Sequence, residues 1–474
     1  MSARRLLAPL AVALGTAFAS SAHAAIHVYH CILDPRQETS AVASTAQGSG
    51  RFVIDTDANT VSYRIVYAGL VGTETAAHIH GSATGAPGVN SGVLTALPAG
   101  SPKVGVWSYT EAQEPMILQG RCYANIHTSS FGGGEIRGQI VPFNALLDGG
   151  QEVPANAATG SGWATATVDT AANTISYYIS YSGLTGAPTA AHFHGNRLHG
   201  ASGGVKVGLT AGPSPMTGTV SYLQADEGQL LSGMFYINLH TAAFGGGEIR
   251  GQLVPTVIPM DALQEVPAGP ATGSSGFALV AVDTAANALS YDVRLQSLSS
   301  AETAAHIHGF AGSASTAGVQ AGLTAGARKL GTWTYGAANE VSVMSGLAYF
   351  NIHTSSNGGG EIRGQIERLP GAAAILDVVS GPRSFAGLTA APNPFGRRTS
   401  VSFALTRTGS VERTVVGVDG RVVRSFPSAT FAPGTHSFDW DGLDDAGRDA
   451  TPGVYFAVVR TAEGVRTTRL ARIR

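Results

Sequence analysis

The sequence predicts an all-β fold: three tandem antiparallel β-sandwich or barrel domains, followed by a further β-sandwich at the C terminus. One observation behind this prediction is a repeat. The string His-x-His-Gly begins at His78, His192 and His306, which are two steps of 114 residues each. Solenoid repeats are far shorter, so a step of this length indicates a whole domain. The other observation is a hydrophobic pattern of period two between segments rich in glycine and proline.

The repeat divides the chain into domains that follow an N-terminal leader. The predicted segments are a leader at 1–24, domains at 26–142, 143–255 and 256–368, a linker at 369–388, and a C-terminal domain at 389–474.

The leader has the organisation of a secretory signal peptide. Arg4 and Arg5 precede the apolar run LLAPLAVALGTAFA, and Ala22-His23-Ala24 ends the segment with a small-x-small pattern. This order predicts cleavage after Ala24. The apolar run is too short for a membrane-spanning helix, and no later segment is long enough. We therefore expect a mature chain without a transmembrane segment, secreted or on the outer cell surface, with the periplasm as the alternative.

The composition excludes some classes of partner. Charged residues make up 13% of the chain, and the formal net charge is −2. A chain of this kind has no basic surface for nucleic acid or for an anionic membrane.

Within each repeat unit the alternation predicts seven or eight short strands and no helix. The segments TVSYRIVYAGL, TISYYISYSGL and ALSYDVRLQSL alternate between apolar and polar residues. Each follows a short polar link, DTDAN or DTAAN, of the kind that forms a hairpin turn. Each unit is therefore predicted to be a small antiparallel sandwich or barrel.

Nine of the 14 histidines fall into three sets, each made of a His-x-His pair and the histidine of an Asn-x-His string. Successive side chains of a strand point to opposite faces, so both histidines of a pair share one face. The apolar residues between them, such as Ala77 and Ile79, are expected to face the core, with the histidines opposite. The candidate metal-binding residues are His78, His80 and His127; His192, His194 and His240; and His306, His308 and His353.

Two interpretations of these histidines stay open. In the first, they belong to a hydrogen-bonded network that holds a loop on the sheet. In the second, each set binds a copper or zinc ion, because imidazole nitrogen is a ligand that both ions accept. A closed zinc site needs a fourth ligand, from water or from a polar side chain nearby. The candidate supporting residues are Glu135, Glu248 and Glu361, together with Asn125, Asn238 and Asn351.

The two cysteines, Cys31 and Cys122, both lie in the first repeat unit. In an oxidising compartment they are expected to form one disulfide bond. Two unpaired buried thiols are the alternative. The second and third units have no cysteine, so a bridge would belong to the first unit alone.

The repeated strings resemble the CHRD domain, a module named after chordin. They are LDGGQEVPANAATGSG from Leu147, LQEVPAGPATGSSG from Leu263, the AAHxHG strings, and NxHT followed by GGGEIRGQ. The resemblance extends from about Ile26 to Arg368 and implies an immunoglobulin-like β-sandwich. The first unit departs from the pattern, because its opening string LDPRQETSAVAS lacks the Val-Pro that follows Gln-Glu in the other two units.

The C-terminal segment resembles the immunoglobulin-like domain of flagellar hook-capping proteins and the related sorting domain of type IX secretion. The strings that carry the resemblance are PNPF, VDGRVVR, WDGLDDAGR and PGVYF. It implies an immunoglobulin-like β-sandwich that sorts or anchors the protein, with the secretion or sorting machinery as its partner.

No catalytic constellation is recognisable in the sequence. Nucleophile elbows, zincin helices and phosphate-binding loops do not occur. A looser likeness to copper–zinc superoxide dismutase is confined to the His-x-His strand. The first hypothesis is therefore a secreted, non-enzymatic surface protein that binds an extracellular ligand or surface component. The second is a metal-binding protein with one copper or zinc ion in each repeat unit.

Overall fold

The computed structural model describes residues 26–269, 272–367, 369, 385–405, 408–417, 422–432, 434–461 and 464–473. The predicted leader lies outside these residues, as does most of the predicted linker. The chain forms two compact units, Met1–Pro370 and Gly371–Arg474. Among the described residues, no helix has the length and apolar character needed to cross a membrane.

The first repeat unit, called module 1 here, is a sandwich of two four-stranded antiparallel sheets. One sheet has the strand order β1-β2-β3-β6, and the other has the order β5-β4-β7-β8. The strands are β1 (Ile26–Leu33), β2 (Gln47–Asp55), β3 (Thr60–Ala68), β4 (Glu74–Gly81), β5 (Val93–Ala96), β6 (Lys103–Ser108), β7 (Cys122–Thr128) and β8 (Ile136–Ile140).

Modules 2 and 3 repeat this arrangement, with their two halves joined into one eight-stranded antiparallel sheet. Their strand orders are β13-β12-β15-β16-β9-β10-β11-β14 and β21-β20-β23-β24-β17-β18-β19-β22. In module 2 the strands are β9 (Phe143–Asp148), β10 (Ser161–Asp169), β11 (Thr174–Ser182), β12 (Pro188–His194), β13 (Val205–Leu209), β14 (Met216–Ser221), β15 (Phe235–Thr241) and β16 (Ile249–Leu253). In module 3 they are β17 (Thr256–Asp261), β18 (Ser275–Asp283), β19 (Ala288–Gln296), β20 (Glu302–Gly309), β21 (Val319–Gly322), β22 (Arg328–Thr334), β23 (Ala348–Thr354) and β24 (Ile362–Ile366).

The predicted hairpins form at the polar links. Each link ends on an asparagine in the left-handed region, with φ of 51° at Asn59, 54° at Asn173 and 49° at Asn287. Asparagine tolerates this conformation better than most residues with a Cβ atom. The all-β prediction and the eight-strand module are confirmed in the part of the chain that the structure describes.

A one-turn helix precedes β7 and its counterparts, which the sequence did not predict. The helices are α1 (Glu114–Leu118), α2 (Glu227–Leu231) and α3 (Glu340–Met344). In module 1 the helix buries Met116 and Ile117 against the core. Five residues are too few to establish a helical period in the sequence.

The alternation places the core as predicted. In β7, Cys122, Ala124 and Ile126 are at most 1% exposed and belong to the core between the sheets. The opposite face of the strand is not open to solvent, however. Tyr123 and Asn125 are also buried there, because a loop covers them.

The three modules pack against one another. Trp163 of module 2 donates its indole N–H to the Arg36 carbonyl of module 1, and Arg64 of module 1 pairs with Asp261 of module 3 at 2.6 Å. Asp148 of module 2 pairs with Arg328 of module 3 at 2.9 Å. An apolar cluster shared by all three modules contains Ile32, Leu146, Trp163, Val254, Val257, Phe277, Leu279 and Ala281. Each module therefore contacts the other two.

The C-terminal unit has two antiparallel sheets, with the strand orders β25-β26-β29 and β28-β27-β30-β31. Trp440 is fully buried in its core beside Phe395 and Tyr455. Its strands are β25 (Phe385–Ala391), β26 (Thr399–Leu405), β27 (Gly409–Gly417), β28 (Val422–Phe431), β29 (Gly434–Trp440), β30 (Gly453–Thr461) and β31 (Gly464–Arg472).

The expected disulfide bond is not formed, and both cysteines are free thiols. Each is buried in the module 1 core, where it fills space beside a glycine. Cys31 Sγ lies beside Gly50 and Gly138, whereas Cys122 Sγ lies beside Gly81. Burial raises the pKa of both thiols, that of Cys122 to about 12, so each acts as a small apolar side chain.

We expect the folded protein to show almost no reaction with a thiol reagent, and the denatured protein to show two thiols without any reductant. Both groups are buried and protonated, so the reagent reaches them only after unfolding. Ellman titration in guanidinium chloride measures this count, and Cys122→Ala is the control with one thiol. Thiols that appear only after reduction would contradict the free-thiol assignment.

Candidate functional site

Each histidine triad lies on the outer face of two neighbouring strands. In module 1, β4 pairs with β7 so that His80 is opposite Tyr123 and His78 is opposite Asn125. The same register places His127 next to this pair, opposite Ala76. Directly opposed and diagonal side chains of an antiparallel pair lie within reach of one another, so the pairing brings the three rings together.

The rings have nearly the same geometry in all three modules. In module 1 the centre of the His78 ring lies 5.4 Å from that of His80 and 5.1 Å from that of His127. The matching separations are 5.4 and 5.0 Å in module 2 and in module 3. Each ring contributes one nitrogen to a group whose members all lie within 4.8 Å of one another. The structure therefore brings together all nine predicted histidines as three triads.

Backbone carbonyl groups fix the tautomer of two histidines in each triad. Nδ1 of His80 lies 2.9 Å from the Ser91 oxygen, and Nδ1 of His127 lies 3.1 Å from the Gly132 oxygen. A carbonyl oxygen only accepts, so each Nδ1 carries the hydrogen and each Nε2 of the neutral ring carries the lone pair. Metal-binding histidines are oriented in this way. The same bonds run from His194 to Gly203, His240 to Gly245, His308 to Ala317 and His353 to Gly358.

The nitrogens that face one another in module 1 are buried and have no hydrogen-bond partner among the described residues. They are Nδ1 of His78 and Nε2 of His80 and of His127. In module 2, Nδ1 of His192 lies 3.1 Å from Nε2 of His240. Two nitrogens bound to one ion at about 2.0–2.1 Å lie about this far apart. Buried polar atoms without partners are costly, so the module 1 nitrogens are arranged for a ligand. In module 2 the His192–His240 pair is also within hydrogen-bond distance.

The surroundings of the histidine rings favour their neutral form. Burial lowers the pKa of His78 and of His80, and the neighbouring His127 lowers both further. The pKa values of His192, His194, His306 and His308 are lowered for the same reasons. Neutral imidazole is the form that binds a metal ion.

An aromatic and a cationic side chain stack on one side of each triad. The Tyr123 ring lies parallel to that of His80, with centres 4.9 Å apart. Arg137 Cζ lies 3.5 Å from the centre of the other face of the Tyr123 ring. The same column recurs as His194–Tyr236–Arg250 and as His308–Tyr349–Arg363.

This column also holds the loop that covers the outer face, residues 82–92 in module 1, 195–204 in module 2 and 310–318 in module 3, called the covering loop. The Tyr123 hydroxyl accepts the Ser91 N–H at 3.0 Å, and Arg137 donates to the Val89 carbonyl at 2.9 Å. His80 binds the same loop through the Ser91 carbonyl. The network interpretation therefore describes the outer nitrogens of the triad. The inner nitrogens of modules 1 and 3 have no partner among the described residues, whereas in module 2 His192 Nδ1 and His240 Nε2 are within hydrogen-bond distance of each other.

A buried glutamate that sequence reasoning missed lies beside the asparagine of each Asn-x-His string. Glu38 and Asn125 approach the same point beside Gly134, where an added Cβ atom would lie 2.5 Å from each of their side chains. Gly134 has a φ of 131°, so glycine is required there for conformation as well as for space. In modules 2 and 3 the asparagine amide donates to the glutamate at 3.3 Å, from Asn238 to Glu152 and from Asn351 to Glu265. The Gln-Glu pair that opens each unit is the only sequence signal for this residue.

The predicted supporting role of Glu135, Glu248 and Glu361 is not what the structure shows. The Glu135 carboxylate accepts hydrogen bonds from Ser44 Oγ, Val71 N and Thr128 Oγ1, all at 2.7–2.8 Å. Strand β8 begins at Ile136, so the chain at Glu135 is still in the turn and directs this side chain away from the histidines. Thr241 and Thr185 bind Glu248 in the same way, and Thr354 and Ser299 bind Glu361.

The comparisons agree with this internal repetition. The CHRD domain matches residues 29–140, 143–253 and 257–366. The chain belongs to the CHRD domain family. The FlgD Ig-like domain matches residues 392–464. Chordin from Xenopus laevis is 31% identical over 166 residues, which cover 30% of this chain and 17% of the chordin chain.

Two solved structures also align with parts of the chain, with low scores. Dimeric latent PorU from Porphyromonas gingivalis aligns over 70% of this chain and 34% of its own, with 8% identity and a TM-score of 0.17. PorZ, an essential surface component of the type IX secretion system of the same organism, aligns over 90% of this chain and 56% of its own, with 11% identity and a TM-score of 0.15. Scores this low carry no structural argument for the CHRD modules.

We expect Glu38, Glu152 and Glu265 to make the protein less stable as the pH rises from about 4.5 to 7. Burial raises the pKa of each to about 7 from 4.5, so the folded state holds the proton more tightly than the unfolded state. Their contribution is complete below pH 4.5 and is lost as the pH rises through 7.

Changing the three residues to glutamine should flatten this dependence by roughly 1–2 kcal/mol for each residue. Urea unfolding at pH 5 and pH 7.5 measures the change in the free energy of unfolding. Glu111→Gln, at an exposed position, is the matched control. An unchanged pH dependence in the triple variant would show that these carboxyl groups are ionised throughout.

Proposed function

We propose that the protein is a non-enzymatic binding protein outside the cytoplasm, and that each CHRD module binds one copper or zinc ion at its histidine triad. The observation that carries the proposal is the convergence of three imidazole nitrogens within 4.8 Å, repeated in three modules. The tautomers of His80 and His127, which backbone carbonyls fix, leave Nε2 of both rings with a lone pair and without a partner among the described residues, and this supports the proposal.

The proposed location outside the cytoplasm and the proposed role at the cell surface are supported by the two ends of the chain. The leader at 1–24 has the order of a signal peptide, and the C-terminal unit matches the FlgD Ig-like domain. In this proposal the CHRD modules bind an extracellular ligand or surface component, and the C-terminal domain engages the secretion or sorting machinery. The modules pack into one unit, which suits a rigid binding surface.

We expect the chelator-treated protein to take up three equivalents of copper or zinc. His127→Ala should reduce the uptake to two, and the triple variant His127→Ala, His240→Ala and His353→Ala should abolish it, because each triad loses one of three ligands. Elemental analysis after gel filtration gives the count, and circular dichroism confirms folding. His27→Ala, outside the triads, is the matched control. Uptake below one equivalent by the folded wild-type protein would refute the metal-binding function.

We expect the chain, produced in a Gram-negative host with its own N terminus, to be recovered outside the cytoplasm beginning at Ala25. Deletion of residues 6–19 should retain it in the cytoplasm, because the apolar run is the part of the leader that export machinery recognises. Cell fractionation and N-terminal sequencing test both statements. A full-length chain that stays in the cytoplasm would contradict the proposed location.

A further inference from the structure

We infer that the triads select the monovalent ion Cu⁺ over the divalent ions Zn²⁺ and Cu²⁺. This inference rests on the proposed metal-binding function, because it names the ion that the same three sites hold. Two observations support it. The ligand atoms of each triad are uncharged, and each stacked column ends at an arginine whose hydrogen bonds reach no carboxylate among the described residues.

The donor set has no negative charge. In the part of the chain that the structure describes, each group of converging ligand atoms contains three imidazole nitrogens and no carboxylate or thiolate. The glutamate that was expected to complete the site is bound elsewhere, as the contacts of Glu135 show. A Zn²⁺ ion held by three histidines takes water as its fourth ligand, and this neutral donor set cancels neither of its two positive charges. A Cu⁺ ion in the same set carries only one uncancelled charge.

A positive charge is built into the surroundings of each donor set. Arg137, Arg250 and Arg363 are 1–2% exposed, and among the described residues their hydrogen bonds go only to uncharged oxygen atoms. Arg137 binds the Val89 carbonyl and the Asn90 side-chain carbonyl, Arg250 binds the Ala201 carbonyl, and Arg363 binds carbonyl oxygens of Ser315, Gly312 and Gln365.

The carboxyl group that acts on this charge does not pair with it. Glu38 interacts with Arg137 through space, but within the described chain the Arg137 hydrogen bonds go to the Val89 and Asn90 oxygens and form no ion pair with Glu38. The guanidinium charge therefore has no bonded counter-ion beside the triad.

The column brings this charge close to the metal position. Arg137 Cζ is 3.5 Å from the Tyr123 ring centre, which is 4.9 Å from the His80 ring centre, so the first and last are at most 8.4 Å apart. A metal ion bound to Nε2 of His80 lies about 3 Å beyond that ring centre, because the metal–nitrogen bond is about 2 Å long. At about 11 Å and an effective dielectric constant of about 20, one unit charge lowers the binding constant of a second unit charge about tenfold. A divalent ion meets this penalty twice and a monovalent ion once.

The test compares ions in a protein with a single working site. In the background His127→Ala and His353→Ala, only the module 2 triad keeps its three ligands. Cu⁺ affinity is measured anaerobically with ascorbate and a chromophoric Cu⁺ chelator as competitor, and Zn²⁺ affinity with a zinc indicator. We expect Cu⁺ to bind at least about tenfold more tightly than Zn²⁺, which is the factor that the extra unit of charge supplies.

Variants of Arg250 test the cause. Arg250→Met should lower the ratio of Cu⁺ to Zn²⁺ affinity about tenfold, mainly by strengthening Zn²⁺ binding. Arg250→Lys keeps the charge and should keep the ratio. An unchanged ratio in a folded Arg250→Met protein would overturn the electrostatic cause.

The wild-type protein provides a measurement that needs no substitution. Zn²⁺ bound as tightly as Cu⁺ would overturn this inference and leave the proposed metal-binding function standing. No binding of either ion would instead overturn the proposed function.

Discussion

In every CHRD module a guanidinium group is buried, and within the described chain its hydrogen bonds reach only uncharged acceptors. Burial of a charge is costly unless other groups replace its hydration. In module 1 that replacement comes from carbonyl groups of the covering loop and from the face of Tyr123. Arg137 therefore fixes the loop on the sheet, and the loop in turn supplies the Ser91 carbonyl that orients His80.

The three triads and the surfaces between the modules differ in how far their residues have diverged. At the sites the side chains are the same in all three modules, as the columns ending at Arg137, Arg250 and Arg363 show. At the surfaces they are not. Arg64 of β3 pairs with Asp261 of the neighbouring module, whereas Asp292, at the same position of β19, binds Arg328 within its own module. Because the surfaces between the modules differ while the histidine sites are repeated, the three modules can pack in one defined order and still carry the same site.

Several features could be predicted because local physics decides them. A strand with one apolar face fixes which residues point inward, so Ala77 and Ile79 had to face the core, and His78 and His80, which alternate with them, had to face away. Turn chemistry fixed the hairpins at Asn59 and its counterparts. The helix α1 was missed because five residues carry no measurable period.

Other predictions failed because long-range contacts decided them. The disulfide was expected from the compartment, but bond formation depends on the positions of two side chains in different sheets, and Cys31 and Cys122 fill separate spaces beside glycines. Glu135 was expected to support the histidines, but it precedes β8 and its carboxylate accepts hydrogen bonds from Ser44, Val71 and Thr128. Glu38 was not recognised because it precedes β2, and only the folded chain brings it to Asn125 and Gly134.

The sequence by itself determined the all-β class, the three modules and the face on which the histidines lie, because repetition and alternation are properties of neighbouring residues. Only the tertiary structure decided which strands are adjacent, which nitrogen of each ring is free and which charge lies behind it. Those depend on register and on a loop that crosses the sheet, and residues far apart in the chain set both.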